Sequence, residues 1–398
     1  MLAHSPPAVP LIIDHFDDNY HDLTAEDEEG IILALQHRDR VRRIRILKPT
    51  LILQKLIMAL DGEFPILEFL LIEYQRYHRP VTGNITGLNV PETFRAPHLR
   101  QLVVKNFAIP IESPILTTMG NLVTLFLHKI PSSAYFHPNS LLQRLSAMPQ
   151  LETLSIGFNC YNSMRDVERQ LLRTPIMTRV TLPNLRWLGF RGTNAYLEAL
   201  LPWLTIPLLA KLHVHLFNRM IYSIPHLRQF VSSAGHVRLK TAEFNFRQDL
   251  LELIGYPHEG ARLYSLSMEL GGRYLDWQLV SAAQVFHPLR TSLSEVEHLS
   301  LRYLRQNVSS EWNIQADPTH WRKFLESFGK VKTLHVDHGF VEEVSRALQP
   351  GEEEPPTELL PELKELSHSA GGASHNVFTR FVDDRRNAGR PITVKQLG

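Results

Sequence analysis

The sequence predicts an α/β fold in which one unit of a strand and a helix is repeated along the chain. Two observations lead to this prediction. A short apolar pattern returns from near the start of the chain to near its end, and amphipathic helical segments lie between its copies. Because strands that alternate with helices form parallel sheets, we expect a parallel sheet covered by helices.

The repeated pattern has apolar residues at its first, fourth and sixth positions. Successive copies begin 23 to 35 residues apart, at the long and irregular end of the leucine-rich-repeat range. The last two apolar positions are two residues apart, so they share one face of a strand. This places Leu154 in the core and leaves Thr153 and Ser155 at the surface, where substitutions should be nearly silent. The copies are Val41-Ile44-Ile46, Leu67-Leu70-Ile72, Leu99-Leu102-Val104, Leu122-Leu125-Leu127, Leu151-Leu154-Ile156, Leu185-Leu188-Phe190, Leu209-Leu212-Val214, Leu239-Ala242-Phe244, Leu263-Leu266-Met268, Val296-Leu299-Leu301, Val331-Leu334-Val336 and Leu363-Leu366.

Stacking of these copies determines the expected architecture. One strand cannot bury its apolar face alone, whereas stacked copies join these faces into a continuous core. The sequence therefore predicts a leucine-rich-repeat solenoid, an arc or horseshoe with a parallel sheet on its concave side and helices on its convex side. We expect a single domain over residues 1–398, with about 12–13 irregular units. Residues 1–40 form the amino-terminal unit, and residues 376–398, with a closing strand from Ile392 to Lys395, form the carboxy-terminal cap.

Local signals predict where strands and helices begin. A proline lies two residues before the first apolar position in several copies, and we expect it at the first residue of the strand, because it has no N–H for the ladder. Helices are expected to start at Asn139 and Asp317, since both residue types cap helices. Another helix is predicted from Tyr274 to Phe286. The prolines are Pro65, Pro97, Pro149, Pro183, Pro207 and Pro361.

The composition is that of an ordinary folded protein, with 43% hydrophobic and 21% charged residues. A formal net charge of +1 provides no global field to attract nucleic acid or an anionic membrane. The single cysteine, Cys160, favours a reducing compartment, and the first residues do not resemble a secretory signal. The longest uncharged apolar stretch, Ala199 to Ala210, is too short to span a bilayer. We therefore expect a cytoplasmic or nuclear protein with no membrane or nucleic-acid partner.

A search for catalytic chemistry gives no candidate, so we expect no enzyme, cofactor or metal. Gly271-Gly272 precedes a helix but lacks the lysine and Ser/Thr of a phosphate-binding loop. His213 and His215 share one strand face and could hold a metal, but the sequence assigns no third ligand. The basic run Arg38 to Lys48 could contact nucleic acid, but the acidic run Glu26 to Glu29 precedes it and no aromatic platform accompanies it. A salt-bridged surface is the preferred interpretation of this basic run.

The sequence predicts a protein-binding site on the concave face of the sheet. In each strand, the residues between the buried positions point away from the core. Trp187, Phe126 and Arg191 are the expected anchors, because Trp and Arg dominate binding hot spots. The alternative is that Trp187 only packs on neighbouring strands. The predicted binding residues are Gln101, Lys105, Phe126, His128, Trp187, Arg191, Lys211, His213 and His215, and Val103, Thr124 and Gly189 share their face.

Five sequence blocks go beyond the repeated pattern. They are Glu26-Asp27-Glu28-Glu29-Gly30-Ile31, Ala34-Leu35-Gln36-His37-Arg38-Asp39-Arg40-Val41-Arg42-Arg43-Ile44-Arg45, Met148-Pro149-Gln150-Leu151-Glu152-Thr153-Leu154, Pro183-Asn184-Leu185-Arg186-Trp187 and Asn387-Ala388-Gly389-Arg390-Pro391-Ile392-Thr393. Together these blocks resemble the F-box-type leucine-rich proteins of mushroom-forming fungi, and the resemblance covers essentially the full chain. They are family-level signatures and carry no catalytic motif.

The resemblance implies a repeat arm that holds a target protein for ubiquitination. In that family an F-box precedes the repeats and binds the adaptor of an SCF-type ubiquitin ligase. Ten residues precede Leu11 and none resembles the opening of an F-box, so this chain alone is expected not to bind the adaptor. Two interpretations stay open: the substrate-recognition arm of such a ligase, which needs an F-box encoded upstream of Met1, and a free-standing scaffold with no ligase.

Overall fold

The computed structural model places most of the chain. The described residues are 9–15, 25–48, 50–74, 90–106, 109–131, 134–159, 173–217, 224–233, 239–272, 274–286, 289, 293, 295–304, 316–349, 359–369 and 377–397. Cys160 lies outside them. The chain divides into two compact units: unit 1 comprises Met1–Gly192 and Ala199–Leu208, and unit 2 comprises Thr193–Glu198 and Leu209–Gly398.

In unit 1, strands alternate with helices along much of the described chain. The strands are β1 (Leu11–His15), β2 (Val41–Lys48), β3 (Phe69–Tyr74), β4 (Gln101–Lys105), β5 (Thr124–Ile130), β6 (Thr153–Phe158), β7 (Val180–Thr181), β8 (Trp187–Gly192) and β9 (Leu204–Thr205). The helices are α1 (Ala25–Gln36), α2 (Thr50–Met58), α3 (Pro114–Thr117), α4 (Pro138–Ser146) and a 3₁₀ helix over Leu201–Trp203. Helix α5 (Asn194–Leu200) has residues in both units.

Seven strands of unit 1 form a parallel sheet in the order β1-β2-β3-β4-β5-β6-β8. The short strands β7 and β9 pair separately, also in parallel. The register of the large sheet aligns the same position of successive copies, so that the predicted inward side chains are neighbours and all are buried. This aligned row consists of Ile44, Leu70, Leu102, Leu125, Leu154 and Leu188.

Unit 2 repeats the alternation of strands and helices. Its strands are β10 (Lys211–Leu216), β11 (Thr241–Phe246), β12 (Leu250–Tyr256), β13 (Leu266–Gly271), β14 (His298–Tyr303), β15 (Thr333–Val336), β16 (Glu365–Ser369) and β17 (Thr393–Leu397). Its helices are α6 (Pro225–Ser233), α7 (Leu275–Phe286), α8 (Pro318–Leu325), α9 (Val341–Leu348), α10 (Thr379–Asn387) and a 3₁₀ helix over His338–Phe340. The predicted helix ending at Phe286 and the predicted closing strand are thus present, with bounds one or two residues away. No helix in the described part of the chain is long and apolar enough to cross a membrane.

The prediction of an entirely parallel sheet is wrong in unit 2. The strand order there is β10-β13-β12-β11-β14-β15-β16-β17, and β12 is antiparallel to both of its neighbours. Only three residues, Arg247 to Asp249, join β11 to β12, whereas a parallel crossover needs about a dozen or more. The copies at Leu239 and Leu263 consequently occupy reversed places, with β13 beside β10 and β11 beside β14. The fold is therefore α/β with mostly parallel strands.

The apolar positions of the pattern form the core of each unit, except Leu263 of the copy in unit 2, which is 64% exposed. Leu154 is 1% exposed, and its neighbours Leu125 and Leu188 on the adjacent strands are 2% and 3% exposed. Full burial of one leucine contributes roughly 1.5–3 kcal/mol, so many moderate contributions stabilise the sheet. Aromatic rings add to the core of unit 2, where Phe244 packs edge-to-face on Phe324 with 4.8 Å between ring centroids.

The prolines before the copies lie in turns and not, as predicted, at the first residue of the strands. The Leu67 N–H donates to the Phe64 carbonyl (3.3 Å), which makes Pro65 the second residue of a four-residue turn. Proline suits this position because its fixed φ matches the value that the turn requires. The strand itself begins only at Phe69. Equivalent turns begin at Ala96, Met148, Leu182 and Leu360.

Of the two predicted helix starts, Asp317 is confirmed and Asn139 is wrong. The Asp317 carboxylate accepts a hydrogen bond from the Thr319 N–H (2.9 Å) in the first turn of α8, and this bond lowers the pKa of Asp317. At α4 the cap is His137, whose Nδ1 accepts from the Asn139 N–H (3.0 Å). The helix begins one residue before Asn139, so Asn139 is not its cap. The side-chain oxygen of Asn139 accepts hydrogen bonds instead from the N–H groups of residues 177 and 178.

Candidate functional site

The face of each sheet opposite the core, here called the outer face, carries the nine residues predicted to bind a protein. Each of these side chains alternates with buried ones, as expected for a strand. Six lie together on the outer face of unit 1: Gln101 and Lys105 on β4, Phe126 and His128 on β5, and Trp187 and Arg191 on β8. The other three, Lys211, His213 and His215, lie on β10 in unit 2. Their role in binding stays a prediction.

Phe126, His128 and Trp187 form an aromatic cluster on the outer face of unit 1. The centroid of the Phe126 ring lies 5.5 Å from that of the Trp187 ring and 5.4 Å from that of the His128 ring. His128 Nε2 lies 2.7 Å from Ser155 Oγ on β6, the strand between β5 and β8. All three rings are half-buried, so part of each ring surface remains open to solvent. The sequence predicted these residues separately, and the register of the sheet brings them into contact.

Small residues beneath the rings allow this arrangement. A β-carbon at Gly189 would lie 2.7 Å from the Trp187 ring and 2.6 Å from Ser155 Oγ, closer than such atoms approach without a bond. Ser155 is only 6% exposed although its side chain faces outward. The expectation that Ser155 lies at an open surface is therefore wrong, because the aromatic cluster lies against it.

Basic side chains flank the aromatic cluster on both sides. On β4, Lys105 Nζ lies 3.2 Å from Glu73 Oε2 of the neighbouring strand. On β8, the β-carbon of Arg191 lies 3.4 Å from the place that a Gly157 β-carbon would occupy, so the missing side chain of Gly157 leaves room beside the arginine. Polar and charged groups around a group of rings are typical of the rim of a binding surface.

Sequence reasoning missed the part of this outer face formed by β2 and β3. The guanidinium carbon of Arg43 lies 4.4 Å from the centroid of the Phe69 ring, a cation–π contact. Leu71 follows on the same face of β3 and is also half-buried. The alternation that selected Phe126 selects Phe69 and Leu71 equally well, so the signal was present in the copy at Leu67.

The basic run from Arg38 to Lys48 forms ion pairs on the surface of unit 1. Three of its arginines each contact one carboxylate from another part of the unit, and Arg43 stacks on the Phe69 ring, which supports the salt-bridged interpretation. Exposed pairs of this kind contribute little, about 0–1 kcal/mol each. The pairs are Arg38–Asp61 (3.7 Å), Arg42–Glu68 (3.0 Å) and Arg45–Asp14 (3.9 Å).

In unit 2, His213 and His215 are held by the neighbouring strand β13. His215 Nδ1 is hydrogen-bonded to the Glu269 carboxylate, and His213 Nδ1 lies 3.0 Å from Ser267 Oγ. Glu269 Oε1 lies 3.8 Å from His213 Nε2, so one carboxylate faces both imidazoles. Within the described ranges, no group of three or more His, Cys, Asp or Glu residues is arranged to hold a metal ion.

A row of charges lines the edge of the unit 2 sheet at which β11, β14 and β15 begin. The ammonium groups of Lys240 and Lys332 each lie 2.6 Å from one carboxylate oxygen of Glu297. Hydrogen bonds from these two lysines lower the pKa of Glu297 from 4.5 to about 2. The carboxylate therefore stays ionised throughout the neutral and mildly acidic range.

Comparison with known proteins gives no family assignment. No protein-family model matches the chain, and no curated protein sequence matches it.

Proposed function

We propose that this chain is a leucine-rich-repeat solenoid that binds another protein, with the outer face of unit 1 on the concave side of the arc. The observation that supports this most directly is the aromatic cluster. The half-buried rings of Phe126, His128 and Trp187 contact each other on the sheet. The residues beside them, Ser155 and Gly189, are too small to cover these rings. Aromatic anchors and arginine supply most of the energy in protein interfaces. Because strands already fix these rings, little conformational entropy is lost on binding.

The surroundings of the aromatic cluster also suit a protein partner. Gln101 is exposed, and Lys105 and Arg191 are half-buried, so hydrogen-bonding groups stand around an apolar centre. A fully desolvated centre with a polar rim is the usual anatomy of a specific interface. The partner is expected to insert one or two apolar side chains against Phe126 and Trp187.

A narrower form of the proposal is the substrate-recognition arm of an F-box-like protein in an SCF-type ubiquitin ligase. The five sequence blocks that resemble the fungal F-box-type proteins support it. The alternative is a free-standing leucine-rich-repeat scaffold with no ligase. Affinity purification of the full-length gene product distinguishes them: co-purification of the SCF adaptor supports the ligase arm, and recovery of the target protein alone supports the scaffold.

The proposal assigns the chain no catalytic step, cofactor, metal or nucleic acid, and it places the chain in the cytoplasm or nucleus. The absence of a catalytic motif in the sequence supports a non-enzymatic role. The net charge of +1 and the single cysteine support the proposed partners and compartment.

Substitution of the aromatic anchors tests the proposed site. The partner is first identified by affinity purification with the unaltered chain, and its affinity is then measured with purified proteins. We expect Trp187→Ala and Phe126→Ala each to weaken binding about ten-fold or more, the loss typical of hot-spot residues. Trp277→Ala is the matched control, because Trp277 is 45% exposed on α7 and lies on no outer strand face.

Two readouts separate binding from packing. Thermal unfolding followed by circular dichroism checks that each variant is folded before its affinity is compared. If Trp187→Ala lowers stability and leaves the partner's affinity unchanged, Trp187 only packs on its neighbours and the outer face of unit 1 is not the binding site.

A further inference from the structure

A basic cavity lies at one end of the outer face of unit 1, where β2, β3 and β4 begin. Its volume is about 400 Å³. Three arginines and one glutamate line it, which leaves a formal charge of +2. One aromatic ring, one valine and an isoleucine that is 65% exposed contribute apolar surface, and one glutamine contributes an amide. The lining residues of this arginine cavity are Ile12, Arg42, Arg43, Glu68, Phe69, Arg100, Val123 and the predicted binding residue Gln101.

The register of the sheet brings the charged residues together. The Glu68 N–H donates to the Arg42 carbonyl (2.9 Å), and the Arg100 N–H donates to the Glu68 carbonyl (2.9 Å). The Val123 N–H then donates to the Arg100 carbonyl (2.8 Å). Arg42, Glu68, Arg100 and Val123 are therefore neighbours at the end of the sheet where the strands begin. In unit 2 the equivalent positions are held by Lys240, Glu297 and Lys332.

The row in unit 1 differs from that in unit 2 in how its glutamate is shared, because Glu297 contacts the lysines on both of its neighbouring strands. The Glu68 carboxylate forms an ion pair with Arg42, with 3.0 Å between Arg42 Nε and Glu68 Oε2. The next place after Arg100 holds Val123 and not a carboxylate. Among the described residues, Arg100 consequently has no carboxylate within ion-pair distance.

Arg43 adds a second cation to the same cavity. Its guanidinium lies on the Phe69 ring, and its Nε is buried with no hydrogen-bond partner in the described part of unit 1. The contact with the ring holds the guanidinium at the cavity, and a guanidinium can bind a carboxylate through two hydrogen bonds.

We infer that the arginine cavity binds a carboxylate of the partner protein, so that the partner presents an acidic segment with an apolar side chain beside it. This inference rests on the proposed function and names the chemistry of the partner. Arginine pairs with a carboxylate through two parallel hydrogen bonds, and Arg43 and Arg100 both have donors to give. Phe69 and Ile12 offer apolar contact next to the anion. The unpaired cations also attract an acidic segment from a distance, in a manner that salt weakens.

Fluorescence anisotropy with short labelled peptides tests the inference on the full chain. The carboxylate probe is Gly-Ser-Glu-Leu-Glu-Leu-Gly-Ser, and matched probes replace both glutamates by glutamine or by phosphoserine. We expect the glutamine probe to bind about ten-fold or more weakly than the carboxylate probe. Arg43→Met and Arg100→Met should weaken binding of the carboxylate probe by a similar factor, and added salt should weaken it further.

Arg186→Met is the matched control for these variants. Arg186 is exposed and holds the place before β8 that Arg100 holds before β4, but it does not line the cavity. Equal losses in Arg186→Met and Arg100→Met would overturn the inference, because the peptide would then respond only to overall charge. So would equal affinities of the carboxylate and glutamine probes, or binding of the phosphoserine probe alone.

The failures of the two proposals are distinguishable. Trp187 lies outside the cavity, so Trp187→Ala should leave the affinity of the carboxylate probe unchanged. If the probe does not bind but capture of the partner depends on Trp187, the cavity assignment is wrong and the proposed function stands. If the probe binds through Arg43 and Arg100 but no partner depends on Trp187 or Phe126, the cavity assignment stands and the proposed site is wrong.

Discussion

Replacing Leu154 with alanine should destabilise unit 1 by about 3–5 kcal/mol. Leu154 is 1% exposed on β6, inside the parallel sheet. Substitutions of this type cost about 2–5 kcal/mol in protein cores, and more where the surroundings cannot move into the cavity. Backbone pairing fixes Leu125 and Leu188 on either side of the vacated place, so little collapse is possible. The loss therefore falls in the upper part of that range.

Denaturant unfolding followed by circular dichroism measures this loss. Thr153→Ala is the matched control, because Thr153 is half-buried on the opposite face of the same strand. We expect that control to change the free energy of unfolding by less than about 1 kcal/mol. Equal losses for the two variants, or a loss below about 1 kcal/mol for Leu154→Ala, would refute the assignment of inward and outward faces.

Substitutions at three further positions test other features of the two units. Gly189→Ala places a β-carbon too close to the Trp187 ring and should displace that ring. The variant should shift tryptophan fluorescence and cost about 1–3 kcal/mol, measured by denaturant unfolding. An unchanged spectrum would contradict the close approach. Asp317→Ala removes the cap of α8 and should cost about 1 kcal/mol, whereas Asp317→Asn should retain most of the stability in the same assay. The pKa of Glu297 is lowered from 4.5 to about 2, so its stabilising contribution is complete above pH 4.5 and is lost as the pH falls towards 2. Glu297→Gln should flatten the dependence of the melting temperature on pH in that interval, and a curve identical to that of the unaltered chain would count against the two lysine contacts.

The strand register of unit 1 could be predicted because local spacing determines it. Apolar residues two places apart must share a strand face, and one such face is stable only against another copy. This reasoning placed Leu154 beside Leu125 and Leu188 without knowledge of any contact. It also selected the side chains of the outer face, including Phe126 and Trp187.

The features that sequence reasoning missed depend on distant partners or on the lengths of connections. Strand β12 carries apolar residues on both of its faces and lacks the full repeated pattern, and its direction is set by a three-residue turn. His215 meets Glu269 across 54 residues of sequence, a pairing that no spacing rule indicates. Ser155 faces outward as predicted, yet rings from two other strands bury it. The arginine cavity depends in the same way on the register that brings Arg42, Glu68 and Arg100 together from three strands.

The reversed strand order in unit 2 has a mechanical consequence. A purely sequential stack can be pulled apart one strand at a time from its carboxyl end, in the order β17, β16, β15 and β14. The next strand along the chain is β13, but it lies between β10 and β12, so it cannot leave while β11 and β12 remain in place. The segment from Thr241 to Gly271 should therefore detach as one block under tension. In single-molecule stretching it should appear as one lengthening step of roughly 100–110 Å, because each extended residue spans about 3.3–3.6 Å.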